Sequence, residues 1–172
     1  MKKALALAIG LVVLGVFGSA AAAEEKAAPA KKMAAPKAMA APMNSSDIQW
    51  GDAPPILPAG AKFAVMMGDP GKTGPYTVRL KMPDGYKMAA HWHPMDESVT
   101  VISGTFNVGM GDKLDMSKGK ALTAGAFGTM PARMHHFGWC TGETEVQVHG
   151  MGPFKLVYVD PADDPTKAAA KK

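Results

Sequence analysis

The segment GYKMAAHWHPMDESVTVISG, Gly85 to Gly104, carries two of the chain's five histidines, with Glu97 four residues after the second. In an extended chain the side chains at i and i+2 share a face, so His91 and His93 project together. Pro94 turns the chain and Glu97 opens the next apolar run, so two imidazoles and a carboxylate can converge on one point. Three such ligands that leave coordination positions open describe a catalytic kind of metal site better than a closed structural one. A second segment, GAFGTMPARMHHFGWC from Gly125, supplies His135 and His136. Adjacent strand residues face opposite ways, so only one of these two can share the site.

Strands must position these residues. YTVRLKM alternates, with Val78, Leu80 and Met82 on one face and Thr77, Arg79 and Lys81 on the other. SVTVISGTFNVGM and TEVQVHGMG repeat the pattern, and FKLVYVD closes the set. Gly- and Pro-rich turns such as GDPGKTGP and SKGKALTAG stand between them. The spacing predicts one all-β domain over residues 47–165, a small antiparallel barrel or jelly roll. The one helical turn is expected near Lys113–Lys118. His149 takes the face opposite Val146 and Val148, together with Gln147, and is read as a satisfied or exposed histidine.

What lies outside that domain is different in kind. Lys2 and Lys3, the apolar run Ala4–Phe17 and the small-residue stretch GSAAAAEE have the order of a secretory signal peptide, residues 1–23, cleaved after Ala23. Cleavage leaves no transmembrane segment and a periplasmic or secreted product. No arginine pair precedes the run, which favours the general export route for unfolded chains. Residues 24–46 form an Ala/Pro/Lys linker without aromatic or β-branched residues, read as a disordered spacer, and residues 166–172 as a basic disordered tail. The formal charge of +4 comes from these ends, because residues 47–165 carry ten Lys/Arg against thirteen Asp/Glu. The basic pI is therefore no sign of nucleic-acid binding. Cys140 stands alone, so no internal disulfide forms, and it is read as a buried, inert thiol.

Taken whole, the pattern resembles the cupin superfamily. Gly85, five residues, His91-x-His93, three residues, Glu97, six residues and Gly104 is the first cupin motif without departure. Gly125, five residues, Pro131 and then His136 resemble the second, after a short spacing of twenty residues from Gly104. Arg133 stands where the second motif usually has Gly, and Cys140 where Asn often occurs. The flanks IQWGDAPPILPAGA and PADDP are similar to those of exported single-domain bacterial cupins with a type 2-like conserved barrel, a group of uncharacterised function. The resemblance implies a double-stranded β-helix, metal ligands His91, His93, Glu97 and His136, with His135 facing out or supporting the ligands from behind, and pairing into a homodimer at a barrel edge.

Three imidazoles and a carboxylate suit Fe, Mn, Zn or Ni as divalent ions. A protein metallated outside the cytoplasm meets an affinity order that favours Zn and Cu. The fourteen methionines raise a copper reading, but the linker methionines are irregularly spaced and most others fall where methionine fills a core. The expected function is a metal-dependent enzyme acting on a small molecule, oxygenase- or isomerase-like. Its pocket floor would be Met88, Trp92, Met95, Met130 and Phe137, with Glu97 as the one candidate for a catalytic role. No clear second general acid or base is visible. The alternative is a non-catalytic module that binds or senses a metal or small ligand, and a weaker third is a barrel that a metal merely stabilises.

Overall fold

The structure, a computed structural model, describes residues 42–169. The expected signal peptide and most of the linker lie outside the described residues. Nine antiparallel strands follow one another: β1 (Gly51–Asp52), β2 (Lys62–Met67), β3 (Gly74–Met82), β4 (Lys87–Trp92), β5 (Glu97–Met110), β6 (Lys120–Thr123), β7 (Phe127–Met130), β8 (His136–Gly152) and β9 (Val157–Tyr158). The chain is all-β, as the alternation predicts. The turn expected near Lys118 is a short 3-10 helix, Met116–Lys118, capped by Asp115.

Two long strands organise the rest. β5 and β8 pair over almost their whole length, from Glu97 opposite Gly150 to Met110 opposite His136. The first half of β8 also carries β4, and its second half carries β3, β2 and β1 in turn. β6 and β7 pair with the two halves of β5. The ladder shifts register between Val101 and Thr105, and a bulge there bends a ribbon sharply. Gly104 sits at the bend with φ +75°, and a Cβ on it would collide with the Glu143 carbonyl and the Thr144 side chain. Thr144, fully buried, accepts from Thr105 N–H and lies 3.2 Å from Thr105 O, which secures the bend.

The folded ribbon encloses one main core, in which Val78, Leu80, Met82, Val101, Val146 and Val148 are all buried. A smaller cluster of Ala90, Phe137 and Trp139 lies on the other face of β4 and β8. Cys140 is buried, its Sγ 3.8 Å from Met82 Sδ, and burial pushes its thiol up to about 11. It is inert, as its setting requires.

The C-terminal end departs from the expected disordered tail, because Pro165–Ala169 forms one helical turn. Asp164 accepts from Thr166 N–H and Oγ1–H, an N-cap that a Pro/Ala-rich start extends readily.

The motif departure at Arg133 has a measurable consequence. Arg133 holds φ +64° in the turn between β7 and β8, where its N–H donates to His93 O at 2.8 Å. A side chain in the left-handed region costs about 1–2 kcal/mol, partly offset by the greater unfolded freedom of glycine. Arg133→Gly should therefore stabilise the domain by about 0.5–1 kcal/mol, a rise of a few degrees in melting temperature, read by calorimetry.

Candidate metal centre

β4 ends in His91, and a bulge lets it face inward. Met88 pairs with Gly138 and His91 with His136, three steps on β4 against two on β8. The extra residue puts Met88 and His91 on the same side despite their odd spacing, and both line the same interior cavity. His93 follows in the loop after β4, Glu97 begins β5, and His136 begins β8. His91, His93 and His136 are all buried, with ring nitrogens within 4.8 Å of one another. Glu97 Oε2 lies 3.5 Å from His93 Nε2 and 3.9 Å from His136 Nε2.

Each imidazole is held by a backbone carbonyl. The Nδ1 atoms of His91, His93 and His136 lie 2.7, 2.8 and 2.9 Å from the carbonyl oxygens of Ala89, Lys155 and Met134. A carbonyl can only accept, so Nδ1 carries the proton in all three rings and Nε2 keeps its lone pair. This is the outer-shell support that fixes metal-binding histidines. His93 Nε2 is buried without a hydrogen-bond partner among the described residues, an orphan that costs about 1–3 kcal/mol. Two ligands about 2.1 Å from one ion lie about 3.0–3.4 Å apart when adjacent and about 4.2 Å when opposite. The observed separations need only small side-chain shifts to reach this, so the donor set fits a divalent transition metal.

Electrostatics agree with that fit. Burial lowers all three imidazoles, His91 to about 3, so they are neutral ligands at neutral pH. Burial raises Glu97 to about 7, with His136 opposing the shift. The His–Glu contacts in the metal-free chain are therefore not ion pairs at neutral pH, because the imidazoles carry no charge.

Free space at the site is small and divided. An inner cavity of about 30 Å³ touches His91, His136 and Glu97 and is otherwise apolar, with Met88 and Met130 in its wall. An outer cleft of about 10 Å³ touches His93 and Glu97 and opens past Met95 and Met151. Each holds one or two water-sized groups, and Glu97 borders both.

The expected pocket residues separate accordingly. Met88 and Met130 line the inner cavity, and Met95, half exposed, stands at the mouth of the outer cleft. Trp92 lines neither; between two inward histidines it takes the opposite face, beside Val157 of β9. Phe137 touches the inner cavity, but its ring stacks on Trp139 at 6.3 Å in the second cluster and forms a wall. His135 is outside, its Nδ1 2.7 Å from Asp112 Oδ1, and His149 is satisfied on the outer face by Thr77 and Gln147. Methionines fill the core less than expected: Met82, Met88 and Met130 are buried, while Met95, Met110, Met134 and Met151 are exposed near the site because they fall in loops and strand ends. The sequence reading missed Tyr76, Phe154 and Lys155, which line the outer cleft and carry no local motif.

Comparison with known proteins now bears on this geometry. Residues 39–155 match the family model of the ChrR cupin-like domain. The chain belongs to this cupin family. No curated protein matches it. Among solved structures, this cupin is similar to an acetylacetone dioxygenase from Acinetobacter johnsonii, at 17% identity, covering 77% of this chain and 84% of that one, TM-score 0.56. It is also similar to the polyketide cyclase RemF from Streptomyces resistomycificus, at 14% identity, covering 77% and 94%, TM-score 0.57. An RmlC-like cupin from Shewanella frigidimarina shares 18% identity, covering 63% and 87%, TM-score 0.51. At these identities the likeness concerns the fold. The cupin fold and the three-histidine cluster together describe a metal-binding cupin.

Protonation of Glu97 gives the centre a pH signature. In the metal-free barrel its raised pKa favours the fold below about 4.5, and that contribution fades as pH rises toward 7. The lowered imidazoles act oppositely, favouring the fold above 6.5 and losing that contribution as pH falls. Metal binding at pH 6 should release about one proton, from Glu97 with its pKa of about 7, and almost none at pH 8.5. Calorimetric titration in buffers of different ionisation enthalpy reads this number; release of two or three protons would mean the imidazoles start charged.

Proposed function

We propose that this cupin is a metal-dependent enzyme acting on a small molecule, oxygenase- or isomerase-like, with the metal held by His91, His93, Glu97 and His136. The observation that carries the reading is the buried, unpartnered His93 Nε2 facing Glu97 while all three Nδ1 atoms are tied to carbonyls. Four protein ligands would leave positions open on an ion that takes more than four, and the adjoining cavity and cleft would give a small ligand room there. When bound, a divalent ion such as Fe, Mn, Zn or Ni polarises a coordinated oxygen-containing ligand. Leu80, Met88 and Val99 give the inner side an apolar wall. Glu97 borders both spaces, so as a ligand it would hold the ion between them.

The leader-like N-terminus supports export, and we infer a periplasmic or secreted protein. No helix among the described residues is long and apolar enough to cross a membrane. The short terminal strands β1 and β9 leave sheet edges that a second copy can cover, which supports a homodimer. One observation favours a second reading, a non-catalytic module that binds a metal or small ligand: the two spaces are small for a substrate of any length.

Turnover separates the two. Protein loaded in turn with Fe(II), Mn(II), Ni(II) and Zn(II) would be incubated with small carbonyl compounds and hydroxy acids, beginning with acetylacetone, while oxygen uptake and ligand loss are followed. The enzyme reading expects consumption with at least one metal, falling about a hundredfold or more in Glu97→Gln while the melting temperature changes little. A ligand that raises the melting temperature of every metal form and is never consumed would establish the binding module instead.

A further inference from the structure

Tyr76 differs from the barrel's other tyrosines. Tyr86 donates to Pro58 O at 2.6 Å and Tyr158 to Ile56 O at 2.9 Å, so both fasten loops. The Tyr76 ring is as buried as theirs, yet its hydroxyl makes no hydrogen bond among the described residues and its oxygen, unlike His93 Nε2, is left accessible. A phenol with a buried body and a free tip is placed to meet a ligand.

Its direction follows from the strand register. Tyr76 on β3 pairs with Gly150 on β8, and Gly150 pairs in turn with Glu97 on β5. These three residues form one row across the sheet, with a glycine in the middle. The ring lies across that gap: a Cβ on Gly150 would come within 2.5 Å of the Tyr76 hydroxyl oxygen. The phenol thus extends over Gly150 toward Glu97, and both line the outer cleft beside His93. Phe154 fixes the ring by edge-on packing at 6.2 Å between centroids. Lys155 also lines the cleft and, being exposed, brings the one ammonium among the lining residues.

We propose that Tyr76 is a ligand-binding residue of this site, whose hydroxyl donates a hydrogen bond to an oxygen of a small carboxylate or enolate anion seated on the metal in the outer cleft. The proposal rests on the metal reading above. Lys155 offsets the charge of the anion at the rim. The cleft, about 10 Å³, has room for about one water-sized group, so one oxygen of the anion would enter it and the rest of the ligand would pass Met95 and Met151 toward solvent. A phenol fixed as a donor selects oxygen anions over apolar or cationic molecules of the same size.

The test uses Co(II) as metal and acetate as probe, with the cobalt absorption bands as readout. Wild type, Tyr76→Phe and Gly150→Ala would each be loaded and titrated. The proposal expects equal cobalt stoichiometry in wild type and Tyr76→Phe, with acetate binding weakened about tenfold or more in the variant, the ratio one hydrogen bond to a charged acceptor supplies. Phe keeps the packing on Phe154, so the melting temperature should hold. Gly150→Ala, which displaces the phenol and leaves it intact, should weaken acetate similarly. Unchanged acetate affinity in Tyr76→Phe at full cobalt loading overturns the proposal and leaves the metal centre standing. Acetate that leaves the wild-type bands unmoved does the same. Failure of wild type to bind cobalt removes the metal reading itself, and the proposal with it.

Discussion

The fold-back of the β5·β8 ribbon is the constraint on which the site depends. Glu97 and His136 begin the two strands, and in the ladder Glu97 pairs with Gly150 while His136 pairs with Met110, thirteen residues along β5. A straight ribbon would hold them about 40 Å apart, yet Glu97 Oε2 lies 3.9 Å from His136 Nε2. The bend at Gly104, with its left-handed backbone and its close approach to Glu143 and Thr144, closes that distance. A hydrophobic interior forms between the two halves at the same time. Core and metal centre are therefore products of one bend.

Placing polar groups at the closed end carries a penalty that the fold meets in two ways. Backbone carbonyls accept the three Nδ1 protons: Ala89 within β4, and Met134 and Lys155 in loops. Nothing in the described chain serves His93 Nε2, and Glu97 is held protonated by burial up to about 7. A divalent ion would resolve both conditions together, supplying a partner for the lone pairs and a charge that ionises the carboxylate. Metal binding and barrel stability are thus linked through the same few atoms.

Much of this was legible in the sequence because it follows from alternation. Val78, Leu80 and Met82 share a face, and so do His91 and His93, with no knowledge of partner strands. The same rule places Trp92 away from the site, whereas Phe137, next to His136, still reaches the wall of the inner cavity. Other features required the register. The bulge that turns Met88 and His91 to one side shows only in their pairing with Gly138 and His136. Tyr76 lies far from either motif in sequence and reaches the cleft only because Gly150 separates it from Glu97 in the ladder. Asp164 capping a terminal turn in an Ala/Lys-rich tail was likewise hidden by composition.

The most direct test of the central claim is metal content per chain, in wild type, His136→Ala and His135→Ala purified from the native compartment. The account predicts near one equivalent of a transition metal in wild type and in His135→Ala, whose ring engages Asp112 outside the site, and its loss in His136→Ala. A wild-type chain that carries no metal and takes up none on titration would contradict it.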